Sequence, residues 1–290
     1  METVLSYLQS ALKRVREFAY AQPERARPQR PRVGLALAGG FARGIAHIGV
    51  LKVLQENRIP IDCIAGTSVG ALIAASYASG VPLEQMERQA AATQFKDFGR
   101  WTLSWMGLAT NERLEGYIRR YAVAARFEKL KLPLAIAATD LLTGEAVYFT
   151  RGELGPALRA SCAYPGLFLP VEHEGRTLVD GFLAAPVPVD AVRRMGAALV
   201  LAVYLEVGGA ERPKNVADVI GRSFSIIQGY AHSEWRARAD LVIEPNVKPF
   251  AWDDFEQAPQ LIAAGEAAAR PALPKIRAML APARDRRIVR

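Results

Sequence analysis

The period of the apolar positions changes several times along the chain, and each change marks an element. Over residues 3 to 19, Val4, Leu5, Leu8, Leu12, Val15 and Ala19 share one helical face. Ser6, Ser10, Lys13 and Glu17 take the other, with Arg14 and Arg16 at the boundary, so the spacing predicts an amphipathic, basic helix. Residues 22 to 32, with Pro23, Pro28 and Pro31, read as a linker. The apolar run Val33 to Ala38 suits a strand buried on both faces. It enters a glycine loop, after which Ile45, Ile48, Val50, Leu51 and Leu54 recur at helical spacing until Asn57 and Pro60. Ile59, Ile61, Cys63, Ile64 and Ala65 then read as a second strand, and Ala71 to Tyr77 as the helix that follows. Strand, helix and strand of this length make a right-handed parallel crossover, which predicts an α/β fold.

Further helices are expected over 82–93, 111–124, 153–163, 188–195, 216–239 and 255–280, and strands over 134–139, 146–150, 198–205 and 241–243. Residues 171 to 179 hold a charged turn between apolar arms and end in Asp180-Gly181. The segment 95–110, with Phe95, Phe98, Trp101, Leu103, Trp105, Met106 and Leu108, has no clean period and reads equally as a lid or pocket wall and as core packing.

At 290 residues and 51% apolar, the chain can bury a full-sized core. The one uncharged stretch near the length of a membrane span, Ile64 to Val81, ends at a glycine turn and reads as core. The first residues lack the pattern of a signal peptide, which leaves the cytoplasm as the expected compartment. Cys63 and Cys162 each sit in an apolar segment, as small buried hydrophobes do. Three scattered histidines without a cysteine pair or an H-E-x-x-H argue against a zinc site. The net charge of +8 is concentrated at the two ends, leaving the middle nearly neutral. That distribution argues against nucleic acid as a partner. It fits solubility, or contact of the N-terminal helix with an anionic membrane; docking of that helix on its own domain is the equal alternative.

Two places offer chemistry. Gly66-Thr67-Ser68-Val69-Gly70 stands between a strand and a helix, the context of a nucleophile elbow, and nominates Ser68 as the nucleophile. By itself G-x-S-x-G arises by chance in roughly one chain in ten of this length. The loop Gly39-Gly40-Phe41-Ala42-Arg43-Gly44 is neither a Walker loop nor G-x-G-x-x-G. Amide groups at a helix start beside a nucleophile suit an oxyanion hole, with Arg43 bracing the loop or meeting a substrate phosphate. The serine needs a base. Chain order in α/β-hydrolases nominates His232, but it lies within a helix pattern; His47 and His173 are no better placed. Asp180 ends an apolar strand before Gly181, and reads either as a base delivered to the carboxyl edge of the sheet or as a turn aspartate.

Taken together, these residues resemble the patatin-like phospholipase family from about Val33 to Leu205. Its oxyanion loop G-G-G-x-R/K-G matches Gly39 to Gly44, its elbow matches Gly66 to Gly70, and its D-G-G/A element matches Asp180-Gly181-Phe182. The stretch Ala160-Ser161-Cys162-Ala163-Tyr164-Pro165-Gly166 lies upstream in a familiar position. The resemblance implies a three-layer α/β/α fold with a mainly parallel sheet, and a Ser-Asp dyad of Ser68 as nucleophile and Asp180 as direct base. It implies an oxyanion hole from the amides of Gly39, Gly40 and Phe41, with Arg43, Gly66, Gly70 and Gly181 in support. The implied substrate is a lipid ester, a phospholipid or lysophospholipid, and no metal or organic cofactor is implied. Phe41 and Phe182 depart from the pattern where relatives carry glycine or alanine, and Ala184-Ala185 stand where many carry asparagines. The departures keep open a patatin-fold protein that binds acyl chains or a partner and hydrolyses little; a histidine-dependent esterase or acyltransferase using His232 is the other rival. The expected division is an N-terminal helix and linker over 1–32, a catalytic domain over 33–205, and a mainly helical part over 206–290 packed on it.

Overall fold

Strands that are apolar on both faces need helices above and below them, and the sequence supplies helices between nearly every pair. The computed structural model describes residues 30–94, 97, 100–104, 106–114, 116, 124–206, 212 and 216–281. The helix pattern over 3–19, and most of the linker and of the pattern over 111–124, lie outside the described residues. β1 (Val33–Leu37) leads through the glycine loop and a 3-10 turn (Phe41–Ile45) into α1 (Ala46–Glu56), and β2 (Cys63–Thr67) leads directly into α2 (Val69–Ser79), followed by α3 (Leu83–Ala92). β3 (Arg100–Ser104) and β4 (Gly107–Thr110) form a separate antiparallel hairpin. Here the aperiodic segment takes a definite form: Met106 and Leu108 are exposed, while the amides of Leu108 and Ala109 donate to the Leu167 carbonyl at 3.1 and 2.9 Å.

The chain continues through β5 (Leu134–Asp140), β6 (Ala146–Phe149), α4 (Leu154–Ser161), β7 (Val171–His173), β8 (Arg176–Asp180), α5 (Val189–Arg194) and β9 (Leu199–Val203). α6 (Val216–Arg238), β10 (Leu241–Ile243), α7 (Ala258–Ala269) and α8 (Leu273–Leu280) complete it. The single helical pattern over 255–280 is two helices, because Pro271 supplies no amide hydrogen and a 3-10 turn at Arg270–Ala272 intervenes. Residues 31–279 form one compact unit. Among the described residues no helix is long and apolar enough to cross a membrane.

β10, β9, β1, β2 and β5 lie side by side, all parallel. Every residue of β1, β2, β5 and β9 is buried. One face of this sheet, carrying Ala36, Cys63, Ala65, Ala135 and Val200, packs on Val189 and Val192 of α5 and on Trp235 of α6. Alternation turns Leu35, Leu37, Ile64 and Ile136 to the opposite face. α2 packs on β1, β2 and β5, and α1 packs on both α2 and α7. The fold is therefore the expected α/β sandwich on a mainly parallel sheet.

The antiparallel strands set up the site. β6 pairs with β5 without a break from Ile136 to Thr139, so β2 and β8 must share the other edge of β5. Thr67 of β2 lies beside Ala137, and Asp180 of β8 lies beside the next residue, Ala138. A parallel strand and an antiparallel one thus meet end to end, at positions 67 and 180.

Candidate active site

Ser68 follows the last residue of β2 and caps α2 with φ 56° and ψ −127°. Positive φ in a residue with a side chain costs on the order of 1–3 kcal/mol and persists only where the surroundings hold it. Close packing supplies that hold: a Cβ on Gly66 would collide with the Gly70 carbonyl, and one on Gly70 with the carbonyls of Leu37 and Ala38. The hairpin end that delivers Asp180 is equally tight, since a Cβ on Gly181 would run into the Ala137 carbonyl.

Asp180 is 1% exposed. Its carboxylate accepts a hydrogen bond from the Phe182 amide at 3.0 Å and lies near the Ser68 side chain, whose hydroxyl favours the charged form. Burial pushes its pKa up to about 7, and the Ser68 hydroxyl and the Phe182 amide pull in the opposite direction without cancelling that rise. The peptide around it is fixed on both sides. Its N–H donates to the Ala163 carbonyl at 2.9 Å, and its own carbonyl accepts from the Thr139 hydroxyl at 2.9 Å. Thr67 ties the end of β2 to the same loop by donating to the Ala185 carbonyl at 2.7 Å.

The glycine loop runs against Ser68, for a Cβ built on Gly39 would stand 3.3 Å from the serine Cβ. Of the three loop amides that the sequence nominates, that of Gly39 faces the Pro186 carbonyl at 3.4 Å. The amides of Gly40 and Phe41 have no hydrogen-bond partner among the described residues. Phe41 has φ 52°, so the chain keeps here a backbone that glycine adopts freely, at about 1–2 kcal/mol of strain. Its ring sits edge-on to Tyr164 at 5.0 Å and to Trp252 at 5.2 Å. Phe182 stacks on the other partner of this group, Tyr164, at 5.0 Å, and Phe224 of α6 closes the cluster at 5.2 Å from Phe182. The two departures from glycine are therefore neighbours of one tyrosine, whose pKa burial and the nearby Asp180 push up to about 12.

Arg43 is buried and donates from Nε to the Phe250 carbonyl at 2.9 Å, while the Ala42 amide donates to the Trp252 carbonyl at 3.0 Å. Burial lowers the Arg43 pKa against the attraction of Asp254 and Asp253. This is the geometry of a brace between the loop and residues 250–254.

His47 is fully buried on α1 and donates from Nε2 to the Ala38 carbonyl at 2.8 Å. Burial pushes its pKa down to about 4, so it is neutral at pH 7. His173 lies on β7 beside Phe149. Neither is among the groups that act on Asp180. The side chain of His232 lies outside the described residues.

Sequence reasoning gave no site role to Ser161, Thr67 or Thr139, and read Cys162 as a small buried hydrophobe. Ser161 is wholly buried and accepts the Ser68 amide at 2.8 Å, and Cys162 lies near the Ser68 side chain. The available signal was a hydroxyl at the end of a helix whose inward positions, Leu154, Ala157, Leu158 and Ala160, are otherwise apolar.

A family model described as patatin-like phospholipase matches residues 35–193. An uncharacterised NTE family protein of Mycobacterium tuberculosis is 38% identical over 178 residues, covering 60% of this chain and 49% of the relative. Lysophospholipase nte1 of Aspergillus fumigatus is 32% identical over 199 residues, covering 67% of this chain and 13% of the relative. The chain thus spans about half the length of the first of these and a small part of the second. Among solved structures, VipD from Legionella pneumophila superposes with a TM-score of 0.50 at 14% identity, covering 86% of this chain and 67% of that one, which is a likeness of fold.

Proposed function

The chain belongs to the patatin-like phospholipase family, and from that premise we propose that it hydrolyses lipid esters through a dyad of Ser68 and Asp180. The observation that carries this reading is the elbow serine and a buried carboxylate brought together where β2 and β8 meet along β5, beside loop amides without a partner among the described residues. Ser68 Oγ attacks the ester carbonyl as its proton passes to Asp180, and the amides of Gly40 and Phe41 hold the oxyanion. Collapse expels the alcohol, which takes the proton from Asp180 and leaves an acyl-serine. Asp180 then removes a proton from water, the hydroxide attacks the acyl carbonyl, and the free acid leaves as Ser68 regains its proton. Residues 33–205 supply these groups, and the rings of Phe41, Tyr164, Phe182 and Phe224 supply an apolar wall suited to an acyl chain.

The substrate class in this reading is a phospholipid or a lysophospholipid, and the name of the Aspergillus relative supports the monoacyl lipid as the first one to try. Purified protein incubated with lysophosphatidylcholine, and separately with diacyl phosphatidylcholine vesicles, is expected to release fatty acid measurable by mass spectrometry. Ser68→Ala is expected to reduce release by about 10³-fold or more. A folded wild-type protein that releases no fatty acid from either lipid would contradict the proposal.

A further inference from the structure

The dyad residues come from two strands, and a third segment touches both of them. At the end of α4, the Ser161 hydroxyl accepts the Ser68 amide at 2.8 Å, and two residues later the Ala163 carbonyl accepts the Asp180 amide at 2.9 Å. Between them, Cys162 lies near the Ser68 side chain. α4 reaches this position because it packs on β5 and β8, the strands that bring positions 67 and 180 together. Its last turn is fixed from outside: Asn111 donates to the Arg159 carbonyl at 2.7 Å and accepts from the Arg159 guanidinium at 3.2 Å.

We propose that Ser161-Cys162-Ala163 is a clamp that sets the distance and direction between nucleophile and base, with Ser161 its principal positioning residue. This rests on the dyad reading above. Ser68 is held at φ 56°, a conformation with a local cost, and its amide belongs to the first turn of α2, where no helical carbonyl is available to accept it. The Ser161 hydroxyl is the acceptor the backbone finds there. Removing that oxygen leaves the amide unsatisfied and frees the peptide to rotate, which carries Oγ away from Asp180. Burial and the neighbouring Asp180 raise the Cys162 thiol's pKa well above its ordinary value, so the residue between the two contacts is a neutral thiol. Clamp and dyad together form a closed ring: Ser161 to Ser68, Ser68 to Asp180, Asp180 to Ala163.

The test compares Ser161→Ala, in which the acceptor is lost, with Ser161→Cys, which keeps the shape with a weaker acceptor, and Ser161→Thr, which keeps the hydroxyl. In ester hydrolysis by the full chain, Ser161→Ala is expected to lower kcat by about 10- to 100-fold with KM within about twofold, since a misplaced nucleophile loses rate and not binding. Cys is expected to be intermediate, and Thr to restore most of the rate wherever it folds. The Ser68 amide is expected to exchange with deuterium at least about tenfold faster in Ser161→Ala, a readout independent of turnover. Wild-type kcat in Ser161→Ala, or a loss of kcat matched by Thr and accompanied by unchanged amide exchange, overturns the clamp. An inactive wild type with a protected Ser68 amide overturns the dyad reading instead, and with it the catalytic purpose of the clamp.

Discussion

Asp180→Asn is expected to lower kcat/KM by about 10³- to 10⁴-fold and to flatten the pH profile, because it removes the carboxylate beside Ser68 that takes its proton in this account. In the wild type the base works only when ionised, and burial has moved its pKa up to about 7. Activity should therefore fall about tenfold per pH unit below 7 and level off above it. The same burial has a sign for stability. The folded pKa lies above the ordinary carboxylate value of 3.8, so the folded state holds the proton more tightly than the unfolded chain. Stability from this group is greatest below about pH 4 and declines as pH rises to 7. Asn, which never ionises, should be more stable than wild type at pH 8 by a few kcal/mol and equal to it near pH 4. Initial rates from pH 5 to 9, with thermal unfolding at pH 4 and pH 8, check both halves. A profile flat in the wild type between pH 5 and 7 would assign the proton to another group.

Gly66→Ala is expected to cost about 3–5 kcal/mol and to lower Tm by on the order of 10 °C, with activity lost even in the folded fraction. The new methyl has to share space with the Gly70 carbonyl. Neither partner can retreat, because β2 lies at the centre of the sheet with every residue buried, and Gly70 is itself pressed against the carbonyls of Leu37 and Ala38. Any shift that admits the methyl tilts α2 and moves Ser68. Thermal denaturation followed by circular dichroism reads the cost, and a Tm within 3 °C or so of wild type would show that the elbow is looser than described.

Much of the fold is legible along the chain because burial leaves a local trace. Val33-Gly34-Leu35-Ala36-Leu37 and Leu199-Val200-Leu201-Ala202-Val203 have no polar residue, which only a strand covered on both faces tolerates. The glycines around Ser68 are legible for a related reason: a turn that excludes Cβ can be built in few ways. Pairing leaves no such trace. That β2 and β8, more than a hundred residues apart, share one edge of β5 depends on the register each makes with that strand, and periodicity reports which residues are buried, not which neighbours they meet. The α1–α7 contact is hidden in the same way. A Cβ on Gly49 would strike the Ile262 carbonyl and one on Gly265 the Ala46 carbonyl, so two helices distant in sequence touch backbone to backbone. Ser161 escaped notice because one hydroxyl at the end of an apolar helix resembles any other until its acceptor role is seen. Phe41 and Phe182 looked like independent departures, yet both pack on Tyr164.

The central claim is that Ser68 is a nucleophile activated by Asp180. Its most direct test is covalent labelling with a fluorophosphonate, followed by peptide mapping of the adduct, in the wild type, Ser68→Ala and Asp180→Asn. A single adduct on Ser68, absent in Ser68→Ala and formed at least about 100-fold more slowly in Asp180→Asn, is the predicted result. An adduct on another residue, or a Ser68 adduct that forms at the wild-type rate without Asp180, would contradict it.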